Sequence, residues 1–345
     1  MKFSLFVHME RIEPSATHAE LYEGYLSLCR MADEGGMYAI WTGEHHCMDF
    51  TIAPNPFLSV VDLARRTRNV RLGTATIVAP FWHPIKLAGE AAMTDLLCEG
   101  RLELGLARGA YRYEYERLMP GMDGEEAGRR LREVAPTLRR LWAGNYAHEG
   151  AFHRFPATTS SPKPVQPGGP PIWIAARDPD SHRFAVEEGF DVQVTPLWQG
   201  DEEVERLAQR FREAYGRTAP ARKPRIMLLQ HAYVASTGEE ADEGARLLGR
   251  FYCYFAHWFA NERPVSQGLL APLGEAEIAA MPQFAPAVLR RNLPIGTPKE
   301  VADRLKRYRD LGFDEYALWI DSSMDPARKR ASLGRFIDEV IPRVS

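Results

Sequence analysis

The sequence has few cysteines, no long apolar run and no large excess of charge of one sign. The spacing of its four cysteines, Cys29, Cys47, Cys98 and Cys253, matches no zinc, redox or disulfide pattern, so we expect reduced and mostly buried thiols. No segment approaches the roughly 18 consecutive apolar residues of a membrane-spanning helix. The apolar run near the N-terminus is too short for a signal peptide, and we expect a cytoplasmic protein.

The charge balance also excludes classes of partner. The net charge is −3 over 345 residues, which gives no electrostatic reason to expect nucleic acid or an anionic membrane surface as a partner. Hydrophobic residues make up 45% of the chain and charged residues 26%, as in ordinary globular proteins. A chain of this length and composition can bury a large core, and we expect its partner to be a small molecule.

Short apolar segments alternate with amphipathic ones along nearly the whole chain. Segments typical of buried strands are 2–8, 37–43, 70–78, 101–107, 171–176, 190–195, 225–235 and 313–320. Segments with helical spacing are 18–34, 56–67, 84–98, 125–142, 180–188, 201–215, 238–259, 298–311 and 326–341. Eight strands alternating with helices predict a (β/α)₈ TIM barrel, an α/β fold, as one domain over 1–345. The alternative is a doubly wound sheet, which the lack of G-x-G-x-x-G after the first strand weakens.

Two segments rich in glycine and proline interrupt this alternation. Residues 143–170 read as an insertion, with room for a small hairpin, before the fifth strand. Residues 261–297 follow the seventh barrel unit, and loops of this length within a compact domain are usually functional. We interpret 261–297 as a candidate lid over the C-terminal ends of the strands.

Functional residues of such barrels lie at the C-terminal ends of the strands. The second strand ends in Glu44, His45 and His46, and a histidine there can act as a general acid or base near neutral pH. The alternative is a structural, hydrogen-bonded histidine. A metal site is poorly supported, because the two adjacent histidines lack the other ligands that such sites use, and we expect none.

The ends of the third and fourth strands predict a surface on which a flat ring can lie, called the floor below, and a binding site for an anion. The third strand ends in the small residues Ala75 and Thr76, which leave space for a flat ring system, although simple barrel packing explains them equally well. Arg108 ends the fourth strand, where an arginine needs an anionic partner. That partner is a phosphate or, alternatively, an internal carboxylate such as Glu44 or Asp178.

The fifth strand leads directly into a helix. It ends in Arg177 and Asp178, and the helix opens near 179–181. Free backbone N–H groups at a helix start favour an anion, and Asp178 or Asp180 can at the same time be the N-cap. Together with Arg108, this helix start predicts a site for a phosphorylated cofactor.

The segment from residue 44 to residue 111 resembles the N-terminal half of bacterial luciferase. The matching motifs are EHH, NP, LGTA-x-IV-x-P, HP-x-x-x-A, GR and the RG after the fourth strand, and 171–189 and 295–305 resemble later segments of the family. The resemblance implies a luciferase-like flavin-dependent monooxygenase. Such an enzyme uses reduced FMN and dioxygen to oxidise a small organic substrate through a flavin hydroperoxide, and a separate NAD(P)H:flavin reductase supplies the reduced flavin.

The resemblance also implies roles for individual residues. His45 matches the catalytic histidine, and Ala75 and Thr76 match a pair, joined by a cis peptide bond, that supports the flavin ring. The cofactor-binding positions that it implies are Glu44, Ala75, Thr76, Arg108, Arg177, Asp178 and Ser181. The resemblance further implies a homodimer.

Departures from luciferase point to a different substrate pocket. Ala107 replaces a reactive cysteine, Arg177 replaces an acidic residue, and Pro196 stands where luciferase has tryptophan. Light emission is therefore not expected. Aromatic residues predict an apolar substrate pocket, although most of them can equally be core. Two other functions remain open: deazaflavin-dependent hydride transfer on the same barrel, and flavin binding without turnover.

Overall fold

The computed structural model describes residues 1–12, 14–218, 220, 222–321 and 324–344. Within them, eight parallel strands form a closed barrel, which confirms the predicted (β/α)₈ fold. Strands β1 to β8 are Lys2–Phe6, Ala39–Thr42, Arg71–Thr74, Leu102–Ala107, Ile172–Ala175, Asp191–Val194, Ile226–His231 and Glu315–Trp319. Each strand pairs with the next one along the chain, and β1 pairs with β8 to close the barrel.

The helices surround the barrel and follow the predicted segments closely. Helices α1 to α13 are His18–Glu34, Pro56–Arg66, Pro84–Leu97, Arg112–Leu118, Gly124–Ala143, Pro179–Glu187, Asp201–Thr218, Gly238–Ala260, Glu275–Ala279, Pro286–Asn292, Pro298–Asp310, Pro326–Arg335 and Ile341–Val344. The short helix α4 was not predicted. The predicted helix 326–341 is divided, because a π-helical turn over Phe336–Val340 separates α12 from α13.

Side-chain caps determine where several helices begin. Thr17 caps α1 and forms a capping box with Glu20, and Thr297 forms the same motif with Glu300 at α11. Asn55 accepts a hydrogen bond from the backbone N of Phe57 at α2. These caps satisfy backbone N–H groups that have no partner inside a helix, so each helix starts at a defined residue after its strand.

The N-terminal half of the barrel interior is filled by a buried polar network. Glu103 is 1% exposed and accepts hydrogen bonds from Arg71, Arg225 and the indole of Trp173, at 2.5, 2.9 and 2.7 Å. Burial alone would raise the pKa of Glu103, but the two arginines outweigh it and lower that pKa. Trp41 packs edge-on against Trp173 just above this network. Described side chains therefore fill the N-terminal half of the interior, which leaves the C-terminal ends of the strands as the place for a ligand.

The insertion before the fifth strand contains an antiparallel hairpin. Its strands are Tyr146–Glu149 and Arg154–Thr158. Glu133 on α5 accepts hydrogen bonds from the side chain of His148 at 3.0 Å and from the backbone N of His153 at 2.8 Å. These bonds fasten the hairpin to the outer helical layer.

The segment 261–297 is built from several short elements. It contains a hairpin of Val265–Ser266 with Leu269–Leu270, then α9 and α10, and its end, Ile295–Gly296, pairs in parallel with Tyr233–Val234. The hairpin turn reaches the loop after β2, where the carbonyl of Gly268 accepts a hydrogen bond from the backbone N of Asp49 at 2.8 Å. This places the hairpin on the C-terminal side of the barrel.

The cysteines are free, and three of the four are buried. Cys29, Cys98 and Cys253 are buried, whereas Cys47 is exposed in the loop after β2. Burial raises the pKa of the Cys98 thiol to about 12, which makes it unreactive. Among the described helices, none has the length and apolar character needed to cross a membrane.

Candidate active site

Glu44 is buried just after β2 and holds neighbouring segments in place through hydrogen bonds. Its carboxylate accepts hydrogen bonds from the backbone N of Val78 at 2.8 Å, from the indole of Trp82 at 3.0 Å and from the ring of His46 at 2.7 Å. Both oxygens therefore have protein partners, and Glu44 fixes the segment that continues β3. Direct contact between Glu44 and a cofactor stays a prediction.

His46 is held as a partner of Glu44 rather than as a free base. Burial would lower the pKa of His46, but the hydrogen bond to Glu44 and the negative charges of Glu44 and Glu114 outweigh burial and raise it. The ring also packs edge-on against Phe81. These contacts hold His46 in a fixed position, and His45 remains the histidine suited to chemistry.

His45 is anchored by a carboxylate that the sequence analysis missed. Nδ1 of His45 lies 3.2 Å from Oε1 of Glu114, which is 1% exposed and also accepts a hydrogen bond from the backbone N of His46 at 2.6 Å. A carboxylate can only accept here, so Nδ1 carries the proton and Nε2 is the nitrogen available for proton transfer. Glu114 lies on α4, the helix that was not predicted, and no sequence motif linked it to His45.

Aromatic rings surround His45 on several sides. Its ring centroid is 5.0 Å from those of Phe50 and Tyr111, and 5.3 Å from that of His8. Phe50 and Tyr111 are buried, whereas the His45 side chain is 13% exposed. His45 therefore stands at the edge of an apolar region that is suited to an organic ring.

The floor of the site is made of small residues at the strand ends. The peptide bond between Ala75 and Thr76 is cis, as the resemblance implied, and the carbonyl of Thr76 accepts a hydrogen bond from the backbone N of Glu44 at 3.0 Å. Ala75, Thr76 and Ala107 are half-buried, and Ala175 is exposed although its strand is buried. Because these side chains leave the barrel mouth open, a flat ring system can lie across them.

Arg108 lies at the end of β4 and forms no ion pair with a carboxylate among the described residues. Its guanidinium is exposed, and Nη1 donates to the carbonyl of Gly124 at 3.0 Å. Within the described part of the chain, no carboxylate forms an ion pair with Arg108, so the predicted internal salt bridge with Glu44 or Asp178 is not formed. An arginine in this state can receive a phosphate.

The start of α6 lies close to Arg108, as the sequence predicted. Asp178 caps α6 by accepting from the backbone N of Ser181 at 2.9 Å, and the Ser181 hydroxyl accepts from the backbone N of Arg177 at 3.2 Å. Burial would raise the pKa of Asp178, but hydrogen bonds from Ser181 and the positive charge of Arg108 lower it. The guanidinium of Arg177 lies 3.9 Å from Glu203, so part of its charge is already neutralised.

The residues present fit a flat, phosphorylated cofactor. The small-residue floor accepts the ring system, Arg108 and the α6 N-terminus lie on one side of it, and the anchored His45 lies on another. Among the described residues, no group of three or more histidine, cysteine, aspartate or glutamate side chains could hold a metal ion. The fold and the geometry of these residues are typical of α/β-barrel enzymes whose site lies at the C-terminal ends of the strands.

The family model described as luciferase-like monooxygenase matches residues 1–315, and the chain belongs to this family. The chain is 57% identical, over all of its own length and 96% of the relative, to the oxygenase component of flavin-dependent trigonelline monooxygenase from Acinetobacter baylyi. This enzyme is thus a flavin-dependent monooxygenase.

Solved structures agree with this fold. The monooxygenase RslO1 from Streptomyces bottropensis is 26% identical, with a TM-score of 0.85 and full coverage of both chains. The oxygenating constituent of 3,6-diketocamphane monooxygenase from Pseudomonas putida, solved with FMN, is 19% identical, with a TM-score of 0.76 over 100% of this chain and 99% of that one. At that identity, the second likeness shows the fold alone.

Proposed function

We propose that this chain is the oxygenase component of a two-component monooxygenase that oxidises trigonelline or a closely related N-methylated pyridine carboxylate. It would take reduced FMN from a separate NAD(P)H-dependent reductase and use dioxygen as co-substrate. The observation that carries the proposal is the 57% identity, over the whole chain, to a trigonelline monooxygenase oxygenase component. The open floor and the unpaired Arg108 support the FMN assignment.

The chain's own residues would divide the work as follows. Reduced FMN supplies the electrons that activate dioxygen. Arg108 and the α6 N-terminus would bind its phosphate, and Ala75 and Thr76 would support its ring. His45, with Nδ1 held by Glu114, would give or take a proton at Nε2.

Deazaflavin-dependent hydride transfer is less well supported than flavin-dependent oxygenation. The relative with 57% identity is named as flavin-dependent, and no observation of comparable weight favours a deazaflavin. A flavin-binding protein without turnover is disfavoured, because Glu114 orients His45 so that its Nε2 can act as a base in the site. Titration with reduced FMN and reduced deazaflavin separates the first two, and preferential binding of the deazaflavin would sink the FMN proposal.

Reconstitution tests the proposal directly. The chain is mixed with FMN, NADH, a general flavin reductase and trigonelline, and the consumption of trigonelline, dioxygen and NADH is followed. We expect trigonelline and dioxygen to disappear in a near 1:1 ratio, with little hydrogen peroxide. Dioxygen consumption that yields only hydrogen peroxide, with trigonelline intact, would rule out this substrate. The same assay with nicotinate, which lacks the methyl group and the positive charge, is the control.

The segment 261–297 is proposed as a lid, and Gly268 offers a test. Gly268 has φ of +84°, and a Cβ there would lie 2.6 Å from Oδ1 of Asp49. Gly268→Ala is therefore expected to lift the hairpin from the loop after β2, admit water and raise the hydrogen peroxide fraction by roughly threefold or more. Gly312→Ala is the matched control, because its φ is +98° and no atom lies within 4 Å of the added Cβ. Equal peroxide release from both variants would argue against a lid.

A homodimer is also part of the proposal. Large apolar side chains remain exposed on two helices that pack on each other, Leu58 on α2 and Met93, Leu96 and Leu97 on α3. Such a patch is suited to a second copy of the chain. Sedimentation velocity is expected to give twice the chain mass, and a monomer at micromolar concentration would contradict this. We also propose a cytoplasmic location, where NAD(P)H is available, which cell fractionation tests.

A further inference from the structure

Glu10 is a buried carboxylate with one oxygen that has no partner. It lies four residues beyond β1 and is 7% exposed. Oε1 accepts a hydrogen bond from the indole of Trp319 at 3.1 Å, whereas Oε2 has no hydrogen-bond partner among the described residues. A buried carboxylate oxygen in this state is costly unless something outside the chain satisfies it.

Among the described residues, neither lysine nor arginine forms an ion pair with Glu10, although the charge of Lys329 acts on it from a distance and lowers its pKa. Lys329 is paired with Asp321 at 3.0 Å, and Arg11 is paired with Asp49 at 2.5 Å. Nδ1 of His8 lies 3.7 Å from Oε1 of Glu10, but burial lowers the pKa of His8 well below its usual value, so this ring is neutral. Burial, and then the charge of Asp321, raise the pKa of Glu10 well above its ordinary value. These effects disfavour the charged carboxylate as long as no cation lies beside it, and a cation placed next to Oε2 would stabilise it.

Glu10 and His45 border the same group of aromatic rings. We call this group the aromatic cluster; it consists of Phe50, Tyr111, Phe251, Phe255 and Trp319, together with the rings of His8 and His45. The ring centroid of His8 lies 5.2 Å from that of Trp319, 5.1 Å from that of Phe50 and 5.3 Å from that of His45. Phe50 in turn lies 5.5 Å from Tyr111. A continuous series of ring contacts therefore connects Trp319, which binds Glu10, with His45, the proposed base.

A positively charged ring is the ligand that this combination fits. The faces of aromatic rings attract cations, and a desolvated carboxylate strengthens that attraction. A quaternary ring nitrogen carries no N–H and cannot donate a hydrogen bond. It is therefore bound by a negative charge and by the faces of aromatic side chains rather than by a hydrogen-bond acceptor.

We propose that Glu10 is the anionic subsite for the quaternary nitrogen of the substrate and selects heteroaromatic rings with a positively charged, N-methylated nitrogen over isosteres whose ring nitrogen is uncharged. This inference rests on the proposed function, whose substrate class it explains in terms of one residue. Phe50, Tyr111 and Trp319 would pack against the ring of the substrate, and Glu10 would hold its charged edge.

Glu315 provides a matched control inside the same barrel. Its Oε1 accepts a hydrogen bond from the indole of Trp41 at 2.8 Å, and its Oε2 has no partner among the described residues. It is the same type of buried, indole-bonded carboxylate, and burial raises its pKa to about 7. Glu315, however, lies at the start of β8, beside Ser4 and below Trp41, in the filled half of the barrel. A substrate at the barrel mouth does not reach it.

Equilibrium binding to the FMN-loaded protein tests the proposal. Trigonelline and nicotinate are titrated into wild type, Glu10→Gln, Glu10→Asp and Glu315→Gln. Removing one partner of a buried charge pair is expected to weaken trigonelline binding to Glu10→Gln by about 30-fold or more, with nicotinate binding changed by less than about threefold. Glu10→Asp is expected to keep part of the preference for the cation, and Glu315→Gln all of it. FMN binding and thermal unfolding show whether each variant is folded.

Three binding results would overturn the proposal. Unchanged trigonelline binding in Glu10→Gln is the first, and equal loss of both ligands in that variant is the second. The third needs no variant, and so applies even if Glu10→Gln does not fold: it is a wild type that does not prefer trigonelline or N-methylpyridinium over nicotinate or pyridine. Wild type that binds these cations through Glu10 but oxidises none of them would refute the proposed function and leave this subsite standing. Turnover of trigonelline by Glu10→Gln at the wild-type rate would refute this subsite and leave the proposed function standing.

Discussion

Replacing His45 by glutamine is expected to lower kcat/KM for substrate oxidation by about 10²–10⁴-fold, the range attributed to a positioned acid or base. Glutamine can still donate to Glu114, but it cannot carry a proton in place of Nε2. The His45–Glu114 distance of 3.2 Å and the burial of Glu114 hold the ring in one orientation, which supports this expectation. Reduced FMN should still bind, so the variant is expected to consume dioxygen and release it as hydrogen peroxide. Product formation and peroxide are measured together.

His148 gives a control of the same kind outside the site. Its Nε2 lies 3.0 Å from Glu133, and it is buried in the hairpin of the 143–170 insertion. His148→Gln removes a comparable histidine–glutamate pair, and any activity loss in this variant would measure damage to the fold. If both variants lose activity equally, His45 is not the acid or base of the reaction. The same follows if dioxygen consumption by His45→Gln still yields product without extra hydrogen peroxide.

Replacing Arg108 by methionine is expected to weaken the binding of reduced FMN by about 10- to 100-fold, the usual contribution of hydrogen bonds to a charged group. The guanidinium has no carboxylate partner among the described residues, and its single hydrogen bond goes to the carbonyl of Gly124. Its removal therefore costs little stability and acts mainly on the ligand. Binding of reduced riboflavin, which has no phosphate, should change by less than about threefold. Fluorescence or anaerobic absorbance titration measures both flavins.

Arg112, four residues along the chain, is the matched control. It is exposed and pairs with Glu116 on the surface of α4 at 2.8 Å, so Arg112→Met removes the same charge away from the floor of the site. Arg112→Met should bind FMN like wild type. An equal loss of FMN and riboflavin in Arg108→Met would mean that the arginine supports the fold. If Arg108→Met binds both FMN and riboflavin as wild type does, Arg108 does not bind the phosphate.

Most of the fold follows from the periodicity of the sequence, because each barrel strand is a short apolar run between amphipathic helices. The exceptions are short or irregular elements. Helix α4 has seven residues and two charged pairs on its surface, so it shows no clear apolar stripe. The predicted strand 70–78 is interrupted at Ala75–Thr76 and resumes as Ile77–Val78. Within 261–297 the elements are too short for their periodicity to stand out.

The site could be predicted only where a residue ends a strand. His45, Ala75 and Arg108 occupy such positions, and the structure places them around one barrel mouth. Glu114 lies on a helix, and Glu10, although it follows β1 about as closely as His45 follows β2, carries no motif; the roles of both depend on contacts between distant parts of the chain. Glu10 meets Trp319, which is 309 positions away, because β1 and β8 become neighbours only when the barrel closes. No local pattern in the sequence encodes such a contact.

The central claim is that this barrel binds reduced FMN and directs its reaction with dioxygen. Stopped-flow mixing of the protein and anaerobically reduced FMN with oxygenated buffer tests it most directly. We predict an absorbing species that belongs to neither reduced nor oxidised FMN, outlives the oxidation of free FMN and decays faster when trigonelline is present. If FMN oxidises in the presence of the protein as it does in buffer alone, with no such species, the claim is contradicted.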